Sequence, residues 1–351
     1  MTTQQAPTSI LIRCPNWVGD VVMATPAFRA VRTTFPHARI TAVIRKYARA
    51  IVNDAPWFDD VLEYDPAGEH RGPRGYLRLV GRLKQAQPDI ALILVNSARG
   101  ALEAWLAGAT RRVGYDRNGR RLLLTDPVPP PTENGAIIPQ NMVQYYLRLC
   151  TEIGCPQQST REELFVRSEI DRRAGAFLDK HGRDPARPLI GINPGAAFGS
   201  SKCWLPERFA EVADTIVERH GCDLLICSAP SEIEIAQAIE KQMRHRPINP
   251  CNDNPGLEVY KAIFKRLRLL ITNDTGARHI AVAFGVPVVV IFGSTDTRYT
   301  DINLEQTSIV SADADCAPCQ QKTCPTGTHK CMKSVTAKMV LDAVEERLAA
   351  L

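Results

Sequence analysis

A chain of 351 residues, 44% apolar and 23% charged, predicts two globular domains, each large enough to bury its own core. MTTQQAPTS at the start lacks the basic and apolar segments of a secretory signal. The longest apolar run, 280–292, is broken by Gly285 and Pro287 and too short to span a bilayer, so the expected location is cytoplasmic. Residues 1–160 carry 19 Lys and Arg against 13 Asp and Glu, and the rest 24 against 25, so the first half favours an anionic partner. Its excess is mostly arginine, whose planar fork suits phosphate and carboxylate. Without an aromatic-rich basic stripe or a nucleic-acid motif, an acidic small molecule or an anionic lipid headgroup fits better than nucleic acid.

In chain order, Ser9-Ile10-Leu11-Ile12 reads as a buried parallel strand entering the loop Arg13-Cys14-Pro15-Asn16-Trp17-Val18-Gly19-Asp20. Val21, Val22, Ala24, Phe28 and Val31 continue as a helical pattern. Gly19 is free to take a positive φ, and Asp20 is placed to cap the helix. The loop lies at the carboxyl end of a strand, where open α/β sheets hold ligands, so Asp20 reads as a cap, a functional carboxylate or both. The G-x-G-x-x-G dinucleotide fingerprint is absent.

Further strands are predicted at 39–44, 61–64, 89–95 and 112–115, with helices at 21–34 and 76–87. The Pro-rich piece 127–131 breaks the pattern, a helix at 141–153 follows, and the polar stretch 156–163 reads as a linker. A second series then places strands at 189–193, 223–228, 269–272 and 287–292. Helices are expected at 207–219, 232–243, 257–267, 276–284 and 336–350. The alternation predicts α/β domains over 1–160 and 161–351, each with a parallel sheet, and a ligand cleft between facing carboxyl edges.

Three loops of the second half carry chemistry. The stretch from Asn193 to Glu207 leaves a strand, is rich in small residues around Gly195, and carries Lys202; close amides and a point charge suit an anion. It is not a Walker loop. The stretch Asn273-Asp274-Thr275-Gly276-Ala277-Arg278-His279 opens a helix whose first amides form an anion site. There Asp274 suits a sugar hydroxyl or a helix cap, and His279 a ligand contact or a core histidine. In the third, Glu232 or Glu234 lies just past a strand end, where a carboxylate holds the hydroxyls of a ribose.

The string Arg13-x-Pro15-Asn16-Trp17-x-Gly19-Asp20 with Pro26 resembles the start of lipopolysaccharide heptosyltransferases of glycosyltransferase family 9, of the heptosyltransferase II type. Asn193-Pro194-Gly195-Ala196 with Lys202-x-Trp204, Asn273-Asp274-Thr275-Gly276 with His279, and Gly285-Val286-Pro287 leading to Phe292-Gly293-Ser294-Thr295 match the family's other blocks in order. Cys203 stands where the family commonly has a second basic residue.

The resemblance implies a GT-B architecture of two Rossmann-like domains with parallel sheets facing across a central cleft. It implies ADP-L-glycero-D-manno-heptose as donor, the inner core of lipopolysaccharide as acceptor, and an inverting reaction without metal or other cofactor. Asp20 would be the base and Lys202 would stabilise the departing ADP. The donor set would be Asn193, Gly195, Lys202, Glu232 (or Glu234), Asp274, Thr275, Gly276 and His279. Arg45, Arg49, Arg71, Arg74, Arg117 and Arg120 are candidates for an acceptor bearing carboxylates and phosphates, and the arginine excess predicts a salt-sensitive, peripheral contact with the cytoplasmic face of the inner membrane. Rival readings are a family member with another nucleotide sugar or a protein acceptor, and a nucleotide-binding protein without turnover. A dehydrogenase ranks behind them for want of the glycine fingerprint.

Of eleven cysteines, seven are scattered and read as small buried hydrophobes. Cys316-x2-Cys319-x4-Cys324-x6-Cys331, with His329 nearby, is dense enough for a structural metal knuckle, although more compressed than a paired-knuckle zinc site. Related transferases acting on autotransporters are similar in carrying a four-cysteine iron site. Unligated thiols are the alternative, and no metal is assigned to the reaction.

Overall fold

Ile10, Leu11 and Ile12 are fully shielded from water, as a strand covered on both faces of a parallel sheet must be. They belong to β1 (Ser9–Arg13) of the computed structural model, which describes residues 6–157 and 159–351. The first five residues of the amino-terminal segment and Gln158 of the polar stretch lie outside the described residues. The chain divides into two units. One runs to Phe165 and includes Arg298–Ile302; the other comprises Val166–Thr297 and Asn303–Leu351.

In the first unit, β1 joins β2 (Arg39–Arg45), β3 (Asp60–Tyr64), β4 (Ile90–Ile93), β5 (Arg111–Tyr115) and β6 (Asp126–Val128). The sheet is wholly parallel, in the order β3-β2-β1-β4-β5-β6. Pro127 is accommodated because β6 is an edge strand. The hairpin β7 (Thr132–Glu133) and β8 (Ala136–Ile137) turns through Asn134 and Gly135, both at positive φ.

The helices are α1 (Val18–Met23), α2 (Thr25–Thr34), the short α3 (Arg49–Val52), α4 (Gly72–Gln85), α5 (Ala98–Leu106) and α6 (Met142–Thr151). Leu79 and Leu83 of α4 and Ala101 and Ala104 of α5 share one core with Leu11, Val43 and Ile93 of the sheet. α6 packs against α1 and α2. The helix expected at 21–34 is two helices, broken at Ala24, because α2 restarts with Pro26 in its first turn, where its missing amide is harmless.

The second unit holds β9 (Leu189–Asn193), β10 (Asp223–Ile226), β11 (Leu269–Asn273), β12 (Val288–Ile291) and β13 (Thr307–Val310), parallel in the order β10-β9-β11-β12-β13. Its helices are α7 (Ser168–Lys180), α8 (Pro206–His220), α9 (Ile233–Gln242), α10 (Leu257–Phe264), α11 (Gly276–Ala283), α12 (Lys330–Ser334) and α13 (Ala337–Ala349). Trp204, Phe209, Ile216, Met332 and Val340 form a core with the strands. The two parallel α/β sheets expected from the sequence are present. Among the described residues, no helix is long and apolar enough to cross a membrane.

Candidate active site

Strand order selects the edges at which ligands sit. In the first sheet the order reverses between β1 and β4, and in the second between β9 and β11. Loops leaving the carboxyl ends of such neighbouring strands flank the crevice of a doubly wound sheet.

The loop after β1 leads to Asp20. α1 begins at Val18, with Trp17 in the N-cap position and no side-chain cap. Gly19 therefore lies inside the helix rather than in a positive-φ turn, and Asp20 occupies the first helical turn rather than the cap. The half-buried Asp20 carboxylate accepts a hydrogen bond from the buried Tyr146 hydroxyl of α6. Burial, and next the Asp20 charge, push the Tyr146 phenol well above its ordinary pKa, so it remains a donor.

Beside this loop the arginines divide by environment. Arg13 is buried, donates to Glu103 at 2.8 Å and to the carbonyls of Cys14 and Val43, and so ties β1 to β2 and α5. The Tyr64 ring lies within 4.8 Å of the Arg13 guanidinium, 5.3 Å of Arg45 and 5.2 Å of Arg99. Of the sequence candidates, Arg45 is half-buried in that cluster, while Arg49 is exposed and paired with Glu63 at 2.6 Å. Arg71 and Arg74 are exposed at the start of α4. Arg117 is half-buried and hydrogen-bonded to the Tyr145 side chain.

Arg120 differs from the rest. It is fully buried, and its guanidinium donates to the carbonyls of Tyr115 and Val95 and reaches those of Ser97 and the Asn96 side chain. Its charge braces the loop after β4 instead of facing solvent. Arg99 escaped the sequence reading because Gly100 weakens the helical signal of α5; that glycine is needed because a Cβ there would lie 2.5 Å from Val95.

In the second unit, the donor candidates converge at the β9–β11 edge. Asn193 donates to the Cys227 carbonyl at 2.8 Å and accepts from the Thr275 hydroxyl at 3.0 Å. Thr275 is the N-cap residue of α11, so Asp274 is not the cap. Lys202 instead donates to the Asp274 carboxylate at 2.6 Å and to its carbonyl at 3.0 Å. Thr295, just beyond β12, donates to the same carboxylate at 2.9 Å, and Arg278 lies 3.8 Å from its other oxygen. Burial would raise the Asp274 pKa, but Lys202, then Arg278 and the buried His279, outweigh it and hold the carboxyl below its usual range.

The rest of this loop is held from behind. Asn273 donates to the Pro194 carbonyl at 2.6 Å and accepts from the Trp204 amide at 3.2 Å. The buried Trp204 indole donates to the Val335 carbonyl at 3.0 Å. Ser201 reaches the Ser294 hydroxyl at 3.1 Å. Thr295 and Arg278 stand in stretches already quoted from the sequence but were given no role there; each is marked by its place, one just past a strand end and the other four residues after Asp274.

The two glutamates separate cleanly. Glu232 is half-buried against Gly195, where a Cβ would lie 1.9 Å from its carboxyl carbon, whereas Glu234 is exposed in the first turn of α9. Burial pushes the Glu232 carboxyl up, opposed by the Ala229 amide that donates to it at 2.9 Å. Gly195 is thus required by close approach.

The cysteine segment packs on this loop, where the Ser201 amide donates to the Lys322 carbonyl and the Gln320 amide to the Ser294 carbonyl; in it Cys331 is buried, while Cys316, Cys319 and Cys324 are half-buried free thiols. Burial, then the charges of the other three, raise the Cys331 thiol, so the four are neighbours. Hydrogen bonds, first from Thr326 and then from the His329 amide, lower the Cys324 thiol to about 7. Among the described residues, no group of three or more His, Cys, Asp and Glu is arranged to hold a metal ion.

The chain is similar to known proteins along nearly its whole length. Lipooligosaccharide heptosyltransferase 2 of Haemophilus influenzae is 26% identical, over 97% of this chain and 99% of that protein. In fold, the chain is similar to a glycosyl transferase family 9 protein of Veillonella parvula (TM-score 0.83, 22% identity, 99% of each chain). It is also similar to the ADP-heptose lps heptosyltransferase II of E. coli (TM-score 0.79, 21% identity, 97% of this chain and 99% of that one). The model of glycosyltransferase family 9 (heptosyltransferase) matches residues 76–330, and the chain belongs to that family.

Proposed function

We propose that this chain transfers a heptose from ADP-L-glycero-D-manno-heptose to a hydroxyl of the lipopolysaccharide inner core, inverting the anomeric carbon. The observation that carries the reading is end-to-end similarity to a lipooligosaccharide heptosyltransferase 2. The first unit would receive the acceptor and the second the nucleotide sugar.

Asp20 would take the proton of the acceptor hydroxyl as its oxygen bonds to the anomeric carbon and the bond from that carbon to the β-phosphate oxygen breaks. The departing ADP gains negative charge. Lys202 and the first amides of α11 would stabilise it as it develops, so no step is assigned to a metal or cofactor. Asn193, Thr275 and Gly276 would frame the diphosphate, with Asp274 and His279 on the sugar side. Arg45 and Arg99, which share the Tyr64 ring, would meet an anionic acceptor, with Arg49, Arg71, Arg74 and Arg117 as further candidates.

The test is transfer from ADP-heptose to a heptose-deficient core acceptor, with ADP-induced thermal stabilisation measured in parallel. Product supports the reading. Stabilisation by ADP without product would leave the nucleotide site and redirect the search to other sugars and acceptors, while neither would overturn it.

Two narrower results are expected. Glu232 would hold the ribose hydroxyls because its carboxylate faces the Gly195 backbone. Glu232→Gln should weaken ADP binding by roughly ten- to a hundredfold, the range for losing a charge-assisted hydrogen bond. Glu234→Gln should stay within about twofold in the same titration. Tyr146→Phe removes the phenol that orients Asp20. It should lower kcat by about tenfold with little change in donor KM. The acid limb of the pH–rate profile should move to higher pH, since a carboxylate that loses a donor keeps its proton longer. An unmoved profile would reduce Tyr146 to a packing residue.

A further inference from the structure

One surface of the first unit extends beyond the residues offered to either substrate: of its basic side chains only Arg71 and Arg74 are acceptor candidates. α4 has four basic residues and no acidic one among its fourteen positions. Its inner side, Leu79 and Leu83, is committed to the core. Its outer side exposes Arg74, Arg78 and Arg82, in line with Arg71 at the cap and flanked by Lys84. Spacings of three and four residues place these arginines in one stripe along the helix.

Apolar side chains interrupt the charge. Leu77, in the middle of the stripe, is 67% exposed. α5 packs against α4, and the turn Arg121–Leu123 packs against α5. On these two elements Trp105 is 52% and Leu122 95% exposed, although Leu123 and Leu124 of the same turn pack into the core. The acidic groups nearby do little to neutralise the stripe. Glu69 approaches Arg78 only to 3.9 Å, Asp116 is taken by Arg121 at 2.7 Å, and Glu103 is buried between Arg13 and Arg99.

Arginines around protruding Leu and Trp side chains complement a surface that is anionic outside and apolar beneath. A nucleic acid would answer the arginines but offer nothing to Leu122. α4 also starts beyond the carboxyl end of β3, and in a parallel sheet that is the edge from which the Asp20 loop emerges.

We propose that the outer face of α4, with Trp105 and Leu122, docks this chain on an anionic phospholipid leaflet and brings the Asp20 edge to an acceptor anchored there. The docking stands on the surface alone; its purpose rests on the heptosyltransferase reading.

The experiment is flotation of the full chain with phosphatidylglycerol–phosphatidylcholine vesicles and with phosphatidylcholine alone, at low and high salt. The wild type should float with the anionic vesicles at low salt only. The variant Arg78→Glu/Arg82→Glu/Lys84→Glu should bind them about a hundredfold more weakly, since each basic side chain near such a leaflet contributes roughly fivefold. An Arg172→Glu/Arg173→Glu control on exposed positions of α7 should bind like wild type, and matching melting curves would show that all three are folded. Absence of wild-type flotation, equal binding to neutral vesicles, or undiminished binding of the α4 variant would each overturn the docking. Transfer separates the two readings. The α4 variant should match wild type on a water-soluble core acceptor and fall behind on the same core carried by vesicles. A wild type inactive on both would sink the transferase reading while the flotation result stood.

Discussion

Asp20→Asn should lower the rate of heptose transfer about a thousandfold, within the range for loss of a general base, and leave ADP affinity within about twofold. A thousandfold corresponds to about 4 kcal/mol of transition-state stabilisation. The substitution is nearly isosteric. An Asn side-chain carbonyl still accepts from the Tyr146 hydroxyl, and α1 has no side-chain cap for the change to disturb. The variant should therefore fold and bind nucleotide as the wild type does, and only proton acceptance is removed. Single-turnover transfer, read beside an ADP titration, checks this. Equal transfer by the two proteins would remove Asp20 from the chemistry and return it to a helix-terminal role. Loss of ADP binding would mean that the substitution had damaged more than the base.

How far the sequence revealed this arrangement depended on whether each signal was local. The strand runs 9–13 and 189–193 coincide with β1 and β9, because continuous apolar stretches between breakers admit little else. α5 and β13 went unread. The first carries Gly100 for close packing on Val95, and the second, Thr-Ser-Ile-Val, is too short and too polar to announce itself. The donor candidates could be named because their stretches lie at or just past strand ends, and strand ends are readable.

Their partners were not. Nothing local says that Lys202 will meet Asp274, seventy-two residues away, or that Thr295 will donate to the same carboxylate. Tyr146 reaches Asp20 only because α6 packs on α1, and Arg120 looked like its neighbour Arg117 until the fold buried it. Pairing over distance is set by topology, and topology is what a single sequence shows least.

The Lys202–Asp274 pair leads to the second large expected effect. Both side chains are mostly buried, at 13% and 10% exposure, so neither charge is cheaply left alone. Lys202→Met should reduce transfer by about a hundredfold or more, through loss of the cation proposed to meet the departing diphosphate. It should also lower stability by about 3 kcal/mol, because Asp274 keeps its burial but loses its nearest counter-charge, with only Arg278 and His279 remaining.

In the wild type the Asp274 pKa is depressed, so the pair's contribution is present above the unfolded pKa and is lost as pH falls through the folded one. In Lys202→Met, burial is opposed by fewer charges, so protonation at low pH relieves more of the strain. The stability gap between variant and wild type should narrow as pH falls from 7 towards 4. Lys202→Met/Asp274→Asn should close most of that gap at pH 7 and restore none of the activity. Denaturant melts across that pH range, beside transfer assays, check both parts. A double variant that regained transfer would show that Lys202 serves only to neutralise Asp274, and the phosphate role would pass to the amides of α11.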